Sequence, residues 1–218
     1  MRFIVRWLFR LAVVLLILTV ALLLGKDLLL KELLQVHIRR ETGIEARVGR
    51  FEVGLLAPTL RVEDLRLYDP PEFGGGVFLH VAECQIEYDV SALWDRRVRL
   101  RLLRLVVPEA GVVWTRTGDS NLAFLHRRLQ ARARAAGPSD FDFGGLDSLN
   151  VTLGRVTSRS LAAPGPVQTL SLGVQNEVFT NLRTPADLAM ALTRIAWKAG
   201  LNQFTNLVTP AATAVRPR

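Results

Sequence analysis

The sequence predicts an α+β fold: an amino-terminal transmembrane helix, then a curled, mainly antiparallel β-sheet, and a carboxyl-terminal helix. Three observations predict it. Residues 11–25 carry no charge, apolar and polar residues alternate repeatedly between positions 44 and 175, and a Thr-Pro pair at 184–185 is typical of a helix start. With 218 residues, 50% of them hydrophobic, the chain is long enough to bury a core and is not a low-complexity tail.

The uncharged run predicts a membrane anchor. Its fifteen residues span about 22 Å as a helix, short of a hydrocarbon core of roughly 30 Å unless Arg10 and Lys26 snorkel and flanking apolar residues extend it. A cleaved signal peptide is the alternative, but no A-x-A pattern ends the run, which favours an uncleaved anchor. Positive charges at 2, 6 and 10 place the bulk of the chain outside the cytoplasm. The predicted anchor residues are Trp7, Arg10, Leu11, Leu15, Leu18, Leu22 and Lys26.

Strands follow from position 44. The first stretch changes the parity of its apolar residues across Gly49 and Arg50, which indicates a bulge or tight turn, and residues 60–67 show a similar change after Pro58. A glycine-rich loop at 74–76 precedes a clean alternation that ends at Val90. The segment 97–107 gives the strongest strand signal, and Pro108 is expected to divide it from a short strand at 112–115.

The remaining elements are less regular. Residues 122–135 predict a short basic helix leading into a linker, and 149–153 and 170–174 predict two more strands. Thr184 as N-cap, Pro185 at the first helical position and Gly200 at the stop predict the final helix. The predicted organisation is an anchor and leucine-rich helix (1–43), a β-rich domain (44–135), a second strand pair and helix of the same unit (136–200), and a loose tail (201–218).

No residue set predicts catalysis or a cofactor. Cys84 is the only cysteine, the three histidines have no ligand spacing, and the G-x-S-x-G motif is absent. The triple glycine lacks the Lys and Ser/Thr of a phosphate loop. We therefore expect neither an enzyme nor a cofactor-binding protein.

The net charge of +8 comes mainly from arginine, and ten of the 25 arginines lie between positions 96 and 134. Such a face suits lipid headgroups or an acidic protein, or is simply solvated. Nucleic acid is not expected, because no stacking aromatics are interleaved with the arginines. The predicted headgroup or partner contacts are Arg97, Arg99, Arg101 and Arg104.

Several short pieces in order resemble the amino-terminal region of bacterial AsmA-like proteins. They are the basic anchor, the string LRLYDPPEFGG followed by a strand and DVSAL, the run RVRLRLLRLVVPEAGVVW, and the GDSNL turn, within residues 1–125. The resemblance implies an inner-membrane-anchored periplasmic protein whose strands form a curled sheet with an apolar inner surface. Larger members of that family resemble bridge-type lipid transfer proteins.

The leading hypothesis is a non-enzymatic, single-pass inner-membrane protein with its bulk in the periplasm, which shelters phospholipid acyl chains for envelope lipid handling or outer-membrane maintenance. The alternative is an adaptor that docks a larger envelope protein through a sheet edge or the arginine-rich face. A third interpretation is that the helices near 122 and 185 close an ordinary two-layer α+β core. The predicted lipid-facing residues are Val53, Leu60, Val62, Leu67, Ile86, Tyr88, Leu100 and Leu102.

Overall fold

The computed structural model describes residues 27, 29–54, 57–136, 140–162 and 165–200. They form one six-stranded sheet with four helices and a 3-10 turn at Pro71–Phe73. The strands are β1 (Glu45–Val53), β2 (Thr59–Tyr68), β3 (Val77–Tyr88), β4 (Arg97–Trp114), β5 (Asp142–Ser160) and β6 (Gln168–Leu182). The helices are α1 (29–42), α2 (Val90–Trp94), α3 (Asn121–Ala136) and α4 (Pro185–Lys198).

The strands lie side by side in sequence order. Neighbouring strands joined by short connections pair antiparallel, whereas β4 and β5, which are joined through α3, pair parallel. The parallel pair exists because α3 carries the chain from the end of β4 back towards the start of β5, and such a crossover joins parallel strands. The sheet is therefore mixed.

The predicted fold class is wrong. The sheet is mixed, and none of the helices within the described ranges is long and apolar enough to cross a membrane. The described part of α1, residues 29–42, carries the charged residues Lys31, Glu32 and Arg39. The same finding overturns the predicted single-pass inner-membrane localisation with a periplasmic bulk, and the membrane and signal-anchor assignments. The predicted anchor residues, Trp7 to Lys26, lie outside the described residues.

One face of the sheet is apolar from edge to edge. Directly paired residues of neighbouring strands project to the same face, so rows of partners can be followed across the sheet. Three rows cross all six strands: Ala46, Leu67, Leu79, Ala110, Val156 and Leu170; Phe51, Val62, Cys84, Leu105, Val151 and Glu177; and Val53, Leu60, Ile86, Leu103, Leu149 and Phe179. Glu177 alone among these eighteen residues is charged, and it pairs with Lys198 of α4. We call this surface the apolar face.

The opposite face is polar over the same width. One of its rows consists of Arg47, Arg66, His80, Glu109, Arg155 and Ser171, and another of Glu52, Arg61, Gln85, Arg104, Asn150 and Val178. We call it the polar face. A sheet with one apolar and one polar face needs a cover on one side only.

A line of irregular backbone, which we call the crease, runs across the strands between the first and second apolar rows. In β1 the buried positions step from Val48 to Phe51, and Gly49 lies beside Asp64, whose φ is 51°. In β4 the crease falls at Pro108. The prediction that Pro108 divides this strand is wrong, because β4 continues to Trp114. Its neighbour is Gly154 of β5, where a built Cβ would overlap the Pro108 carbonyl oxygen. Proline is tolerated in this central strand because the regular alternation is already interrupted there.

The core lies in two clusters at the two sides of the sheet. The larger joins β4, β5 and β6 to α4, with Val174 fully buried and Ala191 and Ile195 as the buried helix residues. The smaller is formed by Val48, Phe51 and Val62, against which Leu34 of α1 packs together with neighbouring strand residues. Both clusters use the apolar face.

We predict that Gly154→Ala lowers the free energy of unfolding by about 2 kcal/mol. The new methyl group would overlap the Pro108 carbonyl oxygen in the middle of the sheet, and relieving this overlap requires a shift of the backbone of β4 or β5. Urea denaturation followed by circular dichroism measures the change. Gly144→Ala is the matched control. Its Cβ would lie 3.3 Å from side-chain atoms of Arg97 and Arg99 and from the Val98 oxygen, so its cost is smaller. Equal losses in the two variants would contradict the close contact at the crease.

Candidate functional site

The candidate site is the part of the apolar face between the two clusters. Five half-buried side chains of this part belong to neither cluster; we call them the central strip. They are Leu67, Leu79, Ile86, Tyr88 and Leu105. The helix residues that join the clusters come from α1 on one side and α4 on the other, while α3 contacts β4 and pairs with α1 through Arg132 and Glu41. The strip is a set of half-buried apolar residues between the two clusters.

Strand pairing places the central strip directly beside the two clusters. Cys84 beside it belongs to the smaller cluster, and Leu105, its partner in β4, is paired in turn with Val151 of the larger one. Leu105 is therefore paired with residues of both packed regions. Burial raises the pKa of the Cys84 thiol, with the charge of Glu83 acting in the same direction, so this cysteine stays a neutral, apolar member of the face.

The predicted lipid-facing residues fall into three groups. Val53, Leu60 and Val62 belong to the smaller cluster or pack against it, and Leu100 packs against the larger one. Leu67, Ile86 and Tyr88 belong to the central strip. Leu102 lies on the polar face, where Glu87 and Ser148 are its partners. The register between β3 and β4 shifts after Glu87, so that Tyr88 pairs with Leu100 and Arg101 is an extra residue.

The predicted arginine contacts lie among carboxylates. Arg99 is 3.4 Å from Asp147, Arg101 is 3.8 Å from Asp89, and Arg104 is 3.8 Å from Glu83. Arg97 is exposed at the start of β4. Such exposed pairs contribute at most about 1 kcal/mol each to stability. They do mean that the positive charge concentrated in the sequence is partly balanced in space.

A buried polar contact was missed by the sequence analysis. Asn121, at the start of α3, donates through Nδ2 to the Asp69 Oδ1 at 2.8 Å and to the Gly111 oxygen at 2.9 Å, and its Oδ1 accepts from the amide of Val113 at 3.1 Å. Asp69 is only 5% exposed, and no hydrogen bond reaches its Oδ2. The two residues lie in YDPP and GDSN, which the sequence marks as turns without indicating that they meet.

This contact ties the end of β2 to the start of α3 across β4. Phe73 and Phe124 pack beside it with ring centroids 5.8 Å apart. Burial raises the pKa of Asp69, opposed by the Asn121 hydrogen bond and the charge of Arg159. The arrangement fixes where the crossover helix leaves the sheet, and it offers no nucleophile or paired acid and base.

The described ranges also hold an open, mainly apolar cavity on α4, lined by Ala189, Met190, Thr193, Arg194 and Trp197. They hold no group of three His, Cys, Asp or Glu side chains placed to bind a metal ion. A cavity of about 400 Å³ at the end of the polar face is lined mainly by polar residues, among them Glu52, Thr59, Arg61 and Gln85. Its lining does not suit an apolar ligand.

Comparison with known proteins gives no relative: no family model, curated protein or solved structure matches the chain. The resemblance to AsmA-like proteins stays a prediction, and the function has to be argued from the geometry alone.

We predict that Asp69→Asn changes the pH dependence of stability. Because burial raises the folded-state pKa of Asp69 above its ordinary value of 3.8, the stability that this group contributes is fully present below 3.8 and is lost as pH rises through the folded pKa. The asparagine keeps the acceptor for Asn121. Urea titrations measure the difference in free energy of unfolding between the unchanged chain and the variant. This difference should decrease as the pH is raised from about 3 to about 7.

Asp187→Asn is the control of opposite sign. Hydrogen bonds from Thr184, first from its backbone amide, lower the pKa of Asp187, so its contribution is present above 3.8 and is lost as pH falls through the folded pKa. The same difference should rise with pH for this variant. A flat or rising difference for Asp69→Asn would contradict the buried carboxyl.

Proposed function

We propose that the chain is a non-enzymatic binding protein for phospholipid acyl chains, which lie along the central strip of the apolar face. The observation that carries the proposal is the central strip, five half-buried apolar side chains of the apolar face that belong to neither helix-covered cluster. Apolar surface that the packed helices do not take up is a candidate binding surface.

The dimensions suit an elongated ligand. Six strands have five spacings of about 4.8 Å, so the rows extend over about 24 Å. The strip between the clusters is narrower than this and is flanked by apolar surface already packed under α1 and α4. An elongated chain can lie on such a strip with apolar contacts on both sides.

The energetics favour acyl chains over compact ligands. Each methylene removed from water contributes about 0.8 kcal/mol, so ten contribute roughly 8 kcal/mol towards an association cost of about 4 to 15 kcal/mol. The surrounding face contains no row of polar groups that would orient a small polar molecule. The polar face, with pairs such as Arg61 to Glu83 at 2.9 Å and Arg155 to Glu109 at 2.8 Å, keeps the other side of the sheet solvated.

The adaptor alternative has less support from these contacts. Docking an acidic protein on the arginines would require breaking or sharing the pairs of Arg99, Arg101 and Arg104 with carboxylates of the same chain. A headgroup phosphate faces the same competition, so we assign the affinity to the acyl chains and not to the arginines.

We predict that Ile86→Gln weakens phospholipid binding at least about tenfold, because an isoleucine side chain contributes roughly 1.5 kcal/mol or more when it is buried against a ligand. Native mass spectrometry of the purified full chain, titrated with dioleoyl phosphatidylglycerol in a volatile buffer, measures the bound fraction. Ile86 belongs to neither cluster, so the variant should remain folded, as circular dichroism will show.

Leu102→Gln is the matched control, since it makes the same kind of change on a half-buried residue of the neighbouring strand but on the polar face. It should bind the lipid as the unchanged chain does. The proposal fails if the unchanged chain carries no lipid, or if the two variants lose it equally.

A further inference from the structure

Four exposed apolar side chains lie together at one end of the sheet. Three belong to α2, the helix that joins β3 to β4, and the fourth stands just before β5. The start of β5 lies beside α2, because the Asp142 amide donates to the Arg96 oxygen at 2.9 Å. We call the four residues the end patch. They are Val90, Leu93, Trp94 and Phe141.

The end patch continues the central strip. Tyr88 is the last residue of β3 and a member of the strip, and only Asp89 separates it from the first residue of α2. In the sheet, Tyr88 pairs with Leu100, three residues after β4 begins. An acyl chain on the strip that extends past Tyr88 therefore reaches the exposed apolar residues of α2.

The opposite end of the strip is occupied by the protein. Leu67 lies two residues before Asp69, which is buried together with its hydrogen-bond partner Asn121. The ring of Phe73, also buried, packs there against Phe124 of α3. The end patch is thus the end at which the strip passes into exposed apolar surface.

The composition of the end patch suits the boundary of a phospholipid bilayer. Apolar side chains exposed singly are ordinary, but four around the end of an apolar strip are typical of a contact surface. Tryptophan beside aliphatic residues is favoured where hydrocarbon meets headgroups, because its ring is apolar and carries one N–H donor. The charges nearby select no strongly charged partner, since both signs are exposed around the patch. They are Arg96 and Arg97 with Asp95, Asp140 and Asp142.

We propose that the end patch contacts the surface of a phospholipid bilayer and that acyl chains enter the central strip there. The inference rests on the proposed function and adds the source of the ligand. Long-chain phospholipids reside in bilayers, because every methylene adds to the free energy of exposing a monomer to water. A protein that binds them therefore has to take them from such a surface. Trp94, at 86% the most exposed residue of the patch, makes the largest contact.

Replacement of Trp94 in the full chain tests the proposal. Trp94→Gln should slow the pick-up of a self-quenched fluorescent phospholipid from dioleoyl phosphatidylcholine vesicles at least about fivefold, because the contact loses an indole ring. The rise in fluorescence as the labelled lipid leaves the vesicles measures the rate. Trp94 is exposed and belongs to neither cluster, so circular dichroism should show an unchanged fold.

Trp197→Gln is the matched control. Trp197 is 73% exposed, but it lies on the outer surface of α4 beside Met190, so its loss should leave the rate unchanged. The unchanged chain and both variants should bind dihexanoyl phosphatidylcholine equally in native mass spectrometry. This short-chain lipid is supplied as monomers, and its binding needs no contact with a bilayer.

A rate that falls in Trp94→Gln alone, with equal binding of the short-chain lipid, supports the proposal. Equal rates in all three chains overturn it and favour a protein partner for the end patch. Equal slowing in both variants, or a loss of short-chain lipid in Trp94→Gln, also overturns it. If the unchanged chain binds the short-chain lipid but takes none from vesicles, this inference alone fails. If it binds neither lipid, the proposed function fails with it.

Discussion

The structure depends on one constraint: a single sheet six strands wide carries an apolar face that must be kept from water. At the two sides of the sheet, helices of the described residues meet this requirement through Leu34 of α1 and through Ala191 and Ile195 of α4. Burial of side chains such as Val174 on one side and Phe51 on the other holds each side together. The apolar side chains of the central strip belong to neither cluster. They are the physical basis of the proposed lipid binding.

Two local features make such a sheet possible. The crease lets the apolar residues of successive strands change parity together, so that the rows on both sides of Gly49, Asp64 and Gly154 still face the same way. The buried pair of Asp69 and Asn121 fixes the start of α3 to the end of β2. From there the crossover delivers β5 parallel to β4, which joins the two halves of the sheet into one surface.

The alternation of residues predicted a strand within each of β1 to β6, because a period of two is a local property of the sequence, although it divided β4 and covered only parts of β5 and β6. Seven of the eight residues predicted to face lipid lie on the apolar face. Leu102 was misplaced because the bulge at Arg101 depends on the partner strand. Pro108 was taken for a break because its tolerance rests on Gly154, 46 residues away. The parallel pairing of β4 and β5, and the contact of Asp69 with Asn121, arise from tertiary structure and leave no local pattern. The transmembrane prediction was wrong, because no helix within the described ranges is long and apolar enough to cross a membrane.

The most direct test of the central claim is where a bound acyl chain lies. The sample contains the chain with isotope-labelled methyl groups and an unlabelled phospholipid. Nuclear Overhauser contacts between the acyl methylene protons and the side-chain methyl groups can then be assigned residue by residue. The account predicts contacts with Ile86, Leu79 and Leu105 and none with Leu102. Contacts with Leu102, or an absence of contacts at the central strip in a lipid-saturated sample, would contradict it.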